Sequence, residues 1–187
     1  MVLFKFILLI RMFEDNNAEK LISILCMKIG KLNIVLAAAN PNERMLFKDA
    51  FNDVRVAHTL TIVTCGEDLI SHLKQTKNLP HLVFLDLNLP DKSGMDCLKI
   101  IRNNKMFRDM AVAVYTASGS VEDLESAFVA GANIFIKKPG DYISLKKIIV
   151  DVISVSRLYL TDGLNRESFM MSYLEDKELP LMPTGIK

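Results

Sequence analysis

From residue 31 to about residue 155, short apolar runs alternate with stretches whose apolar positions recur at helical spacing. Asn33-Ile34-Val35-Leu36, the run from His81 to Leu85, the run from Ala111 to Tyr115 and the run from Asn133 to Ile136 are nearly unbroken. Unalternated apolar runs of that length suit strands buried on both faces of a parallel sheet. Another strand falls within His58 to Val63, second in chain order. Asn40 and Pro41 open the first helix as cap and first-turn proline, and Leu46, Phe47, Ala50 and Phe51 share one of its faces. The following helices carry Leu69, Ile70 and Leu73, then Cys97, Leu98 and Ile101, then Val121, Leu124 and Phe128 before a stop near Gly131. The last carries Leu145, Ile148, Ile149, Val152 and Ile153. Five βα units in succession predict an α/β fold, a doubly wound five-stranded parallel sheet with helices on both faces.

Composition narrows the picture. At 187 residues the chain suits one domain with extensions. We read residues 1–31 as an N-terminal extension, 32–157 as the domain and 158–187 as a polar, proline-containing tail. Phe6 to Ile10 is far too short to span a bilayer and lacks a cleavage site, so no membrane attachment is expected, and Met27 is an alternative natural start. A net charge of +1 gives no electrostatic reason to expect nucleic acid as partner. Cys26, Cys65 and Cys97 are odd in number and widely spaced, which suits reduced thiols in a cytoplasmic protein better than disulfides or zinc.

The chemistry is expected at one edge. Ligands of doubly wound sheets sit beyond the carboxyl ends of the strands. There the third strand ends in Asp86, followed by Asn88 and Pro90, the fourth ends near Thr116, and Lys137-Lys138-Pro139 follows the fifth. The first strand ends in Ala37-Ala38-Ala39, with no glycine to wrap a phosphate, which disfavours nucleotide or flavin binding.

In this order and at these strand ends, the residues from about Leu32 to Val155 resemble the receiver domain of bacterial response regulators. The segment Gly131 to Pro139 and the stretch Asp162 to Arg166 are similar to stand-alone receivers of Bacteroidetes type. The resemblance implies a flavodoxin-like sheet in the order 2-1-3-4-5. It also implies a phosphoacceptor at Asp86, a phosphoryl-binding hydroxyl at Thr116, a pairing lysine at Lys138 and a switch aromatic at Phe135. The carbonyl of Asn88 would help ligate Mg²⁺, together with Asp86 and an acidic pair at the end of the first strand. Ala38 and Ala39 stand in the places of that pair, and a methyl group cannot ligate a hard cation.

The site is therefore expected to be vestigial for metal, with no cofactor and with Asp86 and Lys138 in ion-pair reach at a local charge near zero. The leading expectation is a two-component signalling module, not an enzyme, acting by protein contact with impaired phosphorylation. The alternative is a working phosphoacceptor charged by a histidine kinase or phosphotransferase. A downstream protein would dock on the face made by the helix after Ser120, the strand of Phe135 and the helix after Asp141. The Lys138–Pro139 bond is expected to be cis, turning the lysine toward Asp86.

Overall fold

The structure is a computed structural model in which residues 31–54, 56–162 and 171–173 are described. The expected N-terminal extension lies outside them except for Lys31, and the expected tail is covered only at 158–162 and 171–173. The strands are β1 (Leu32–Ala37), β2 (His58–Val63), β3 (Leu82–Asp86), β4 (Ala111–Thr116) and β5 (Ile134–Lys137). The intervening helices are α1 (Pro41–Asp53), α2 (Gly66–Gln75), α3 (Gly94–Asn103) and α4 (Val121–Val129), and α5 (Tyr142–Asp162) follows β5. The strands lie in the order 2-1-3-4-5, all parallel, as the resemblance implies. A short sixth strand, β6 (Met171–Tyr173), adds to the β5 edge, which the reading of that segment as a polar tail did not anticipate.

Alternation along each strand sends side chains to two cores. Leu32, Ile34, Leu36, Phe84, Ala113 and Ile136 face α1 and α5, whereas Val35, Val83, Leu85, Val114 and Phe135 face α2, α3 and α4. Since β1, β3 and β4 are covered on both sides, their runs need no polar face.

Helix α1 is set by three devices. The side chain of Asn40 accepts the Asn42 N–H at 2.9 Å, and Pro41 fixes the first turn. Phe47, Ala50 and Phe51 then bury one face, with Phe47 edge-on to Phe84 (5.3 Å) and Tyr115 (4.9 Å). Each buried phenyl contributes about 2–3 kcal/mol. Leu46, expected on this face, is exposed at its margin.

Helix α4 also departs from expectation. Val121 and Phe128 are about half exposed, and only Ala127 is buried. The small Ala127 joins the cluster of Phe135, so the bulky residues flank that contact instead of filling it. Its end is as expected: Gly131 sits at φ 90°, its N–H bonds the Phe128 carbonyl at 2.8 Å, and the Ala132 N–H bonds that of Ala127 at 2.9 Å. That double closure needs a left-handed residue, hence glycine.

Candidate functional site

Asp86 closes β3, with a side chain only 4% exposed. Its Oδ1 accepts the Asn88 N–H at 2.9 Å and its Oδ2 accepts the Lys138 ammonium at 2.8 Å. Gly94 brings the start of α3 hard against this turn, and its N–H bonds the Leu87 carbonyl at 3.0 Å. A methyl group at Gly94 would lie 2.1 Å from the Asp86 carbonyl oxygen, so the close approach requires glycine.

Lys138 reaches Asp86 as expected, but not by the expected route. The structure contains no cis peptide bond among the described residues, so Lys138–Pro139 is trans. The Lys138 N–H donates to the Thr116 carbonyl at 2.8 Å, continuing the β4–β5 ladder by one rung. From that anchor the side chain reaches Asp86 without the turn a cis bond would supply.

The ammonium has a second partner that sequence reasoning missed. Lys138 Nζ donates to both carboxylate oxygens of Glu43, at 2.8 and 2.9 Å. Lys138 is 15% exposed and Glu43 19%, so the bridge is largely screened from water. The Tyr115 ring lies beneath Lys138 Nζ at 5.2 Å, within cation–π range. Burial, then the charges of Glu43 and Asp86, push the Tyr115 phenol above its ordinary value. The expected balance of one carboxylate against one ammonium is therefore corrected: two carboxylates face Lys138. In the sequence, Glu43 reads as an ordinary first-turn acid of α1.

Ala38 is fully buried on the α1 side of the sheet, its N–H bonded to the Val63 carbonyl at 3.1 Å. The Arg44 guanidinium caps this strand end, donating to the carbonyls of Ala38, at 3.1 Å, and Ala39. Thr116 is buried, and its Oγ1 accepts the Ser118 N–H at 3.3 Å. Phe135 is fully buried on the opposite face of the sheet from Tyr115, beside Val114 in register. Asp86, Lys138 and the backbone of Asn88 and Thr116 thus meet at one edge, while Phe135 lies in the core below.

The comparisons agree with this geometry. The family model for the response regulator receiver domain matches residues 34–150, and the chain belongs to that family. It is 28% identical over 123 residues to the probable methanogenesis regulatory protein FilR2 of Methanothrix harundinacea, covering 64% of this chain and 79% of that one. It is 33% identical over 94 residues to the luminescence regulatory protein LuxO of Vibrio campbellii, covering 50% of this chain but only 20% of LuxO. Among solved structures, the phosphorylated cyanobacterial phytochrome response regulator RcpA superposes with a TM-score of 0.62 at 25% identity, over 71% of this chain and 96% of RcpA. The protein is thus a receiver domain of two-component signalling, a family of signalling modules that bind Mg²⁺ and work with histidine kinases or phosphotransferases and downstream effectors. No helix among the described residues is long and apolar enough to cross a membrane.

Proposed function

We propose that this chain is a cytoplasmic receiver, with its domain at residues 32–157, that signals by protein contact while its Mg²⁺-dependent phosphorylation is impaired. The observation that carries the reading is the Lys138 ammonium seated between Asp86 and Glu43, beside a strand end whose side chains are methyl groups. The residues do not fit Mg²⁺, which wants several oxygen ligands in octahedral array. Ala38 and Ala39 offer no side-chain oxygen, their carbonyls already accept from Arg44, and the two nearby carboxylates already hold a cation. Asp86 keeps the phosphoacceptor position, Asn88 a vestigial ligand position, and Thr116 and Lys138 the phosphoryl-facing positions. Phe135 is the switch candidate beneath the α4–β5–α5 face, the surface we assign to a downstream protein, and α4 and α5 carry the exposed apolar side chains Phe128 and Ile143.

The second reading, a working phosphoacceptor, draws on the Asp86 carboxylate itself, which is still held for attack by the Asn88 N–H. One experiment separates the two: Mg²⁺ titration of the folded protein, followed by incubation with acetyl phosphate and mass determination. Binding far weaker than in intact receivers, with no added phosphoryl mass, supports the first reading. Tight binding with rapid uptake on Asp86 establishes the second.

A further inference from the structure

Asp86 and Lys138 have roles suggested by the family pattern; Glu43 has none. We propose that Glu43 is the carboxylate that completes this altered pocket: with Asp86 it holds the Lys138 ammonium as a resident cation and so ties the first turn of α1 to the sheet edge. The proposal rests on the metal-impaired reading above and adds the residue that takes over the lost negative charge.

Geometry separates this role from that of a helix-dipole acid. A first-turn acid that only complements the dipole stands in solvent and gains little from it. Glu43 instead turns both oxygens onto one ammonium, in a site where exposure is low and Coulomb attraction is correspondingly stronger. A lysine head is a compact charge with three donors, well suited to sit between two carboxylates. Without it those carboxylates would repel each other across the pocket.

The placement of Glu43 follows from the fold. Asn40 and Pro41 start α1 immediately past the strand end, and Phe47 and Phe51 pin its buried face, so residue 43 is carried over the carboxyl edge. Arg44 clamps the same turn to the carbonyls of Ala38 and Ala39. The turn is therefore held by two cations, Arg44 on the backbone and Lys138 on Glu43. A divalent ion could enter only by displacing Lys138, and deleting the ammonium would leave two adjacent carboxylates with an unmet demand for positive charge.

The test is a Mn²⁺ titration of the full chain, followed by electron paramagnetic resonance and by thermal shift, for the parent, Lys138→Met and Lys138→Met/Glu43→Gln. The parent should show no saturable site at millimolar Mn²⁺. Lys138→Met should bind at least about tenfold more tightly and melt higher with Mn²⁺, and the double variant should lose both gains. A Lys138→Met protein that binds no better than the parent, or a double variant that binds as well as the single one, overturns the role of Glu43. Tight binding by the parent sinks the metal-impaired reading and this inference with it, a failure distinct from the other two. Should Lys138→Met not fold, Glu43→Gln, which keeps the Asp86–Lys138 pair, provides the deciding measurement. The ¹H–¹⁵N signal of the Lys138 ammonium should exchange faster with water in that variant, and an unchanged signal rejects the proposal.

Discussion

Replacing Lys138 by Met removes an ammonium while keeping an unbranched stem of similar volume, so the loss reports on charge more than on packing. Asp86 would retain the Asn88 N–H but lose its 2.8 Å contact to Nζ, and Glu43 would lose both of its contacts to that atom. Removing one partner of a buried ion pair costs about 3–5 kcal/mol, because the other charge stays behind in a poor solvent. Glu43 is 19% exposed and can recover some hydration, which places the expected loss near the lower end, about 3 kcal/mol. Asp86 is nearly inaccessible, so Asp86→Asn in the Lys138→Met background should recover about half of that loss by removing the stranded charge. Urea unfolding at neutral pH, followed by circular dichroism and read as midpoint times slope, measures all four corners of the cycle. A single variant within about 1 kcal/mol of the parent would refute the reasoning, as would an Asp86→Asn change that deepens the damage.

Other expectations follow from the same packing. Burial pushes the Cys97 thiol up to about 11, so iodoacetamide at pH 8 should modify the half-buried Cys65 well before Cys97; peptide mapping showing equal labelling would contradict this. Hydrogen bonds from Ser118 and Ser120 hold the Asp123 carboxyl below its ordinary 3.8, so its contribution to the α4 cap is present above that value and is lost as pH falls through the lower folded value. A carboxyl titration by NMR should show that midpoint rise in Ser118→Ala/Ser120→Ala, and no movement would remove the assignment. Phe135→Ala should cost about 3–5 kcal/mol in urea unfolding because the ring is wholly buried, whereas Phe135→Leu should stay folded and alter partner affinity; a Phe135→Ala protein as stable as the parent would show that the ring is not core.

Much of the architecture was legible in the chain because it depends on local pattern. The unbroken run ending at Asp86 suits a doubly covered strand, and the alternation of such runs with helical faces leaves few topologies. Helix α4 differs from its sequence pattern because Val121 and Phe128 have the right spacing for a buried stripe yet lie about half exposed. Spacing does not say how close the helix lies to the sheet, and at this contact the methyl of Ala127 is what fits beside Phe135. Leu46 departs from its pattern for a similar reason, since the α1 contact is centred on Phe47 and Phe51 and leaves its flank in water.

The site divides along the same line. Residues 86, 116 and 138 could be placed at one edge in advance because each lies at or just beyond the end of an apolar run, while the roles expected of them came from the family resemblance. The methyl groups at 38 and 39 were equally plain, and the proposed impairment of metal binding starts from them. Glu43 could not be found that way. It is 95 residues from Lys138 along the chain, and its local sequence marks it only as an acid in a first turn. Whether such an acid points to solvent or into a pocket depends on how its helix is rolled onto the sheet. Here that roll is set by Phe47 and Phe51 against Phe84 and Tyr115, contacts that exist only once the strands have assembled. The trans bond at Lys138–Pro139 belongs with Glu43: the direction of the lysine follows from its tertiary anchor on Thr116, a hydrogen bond that no local rule specifies.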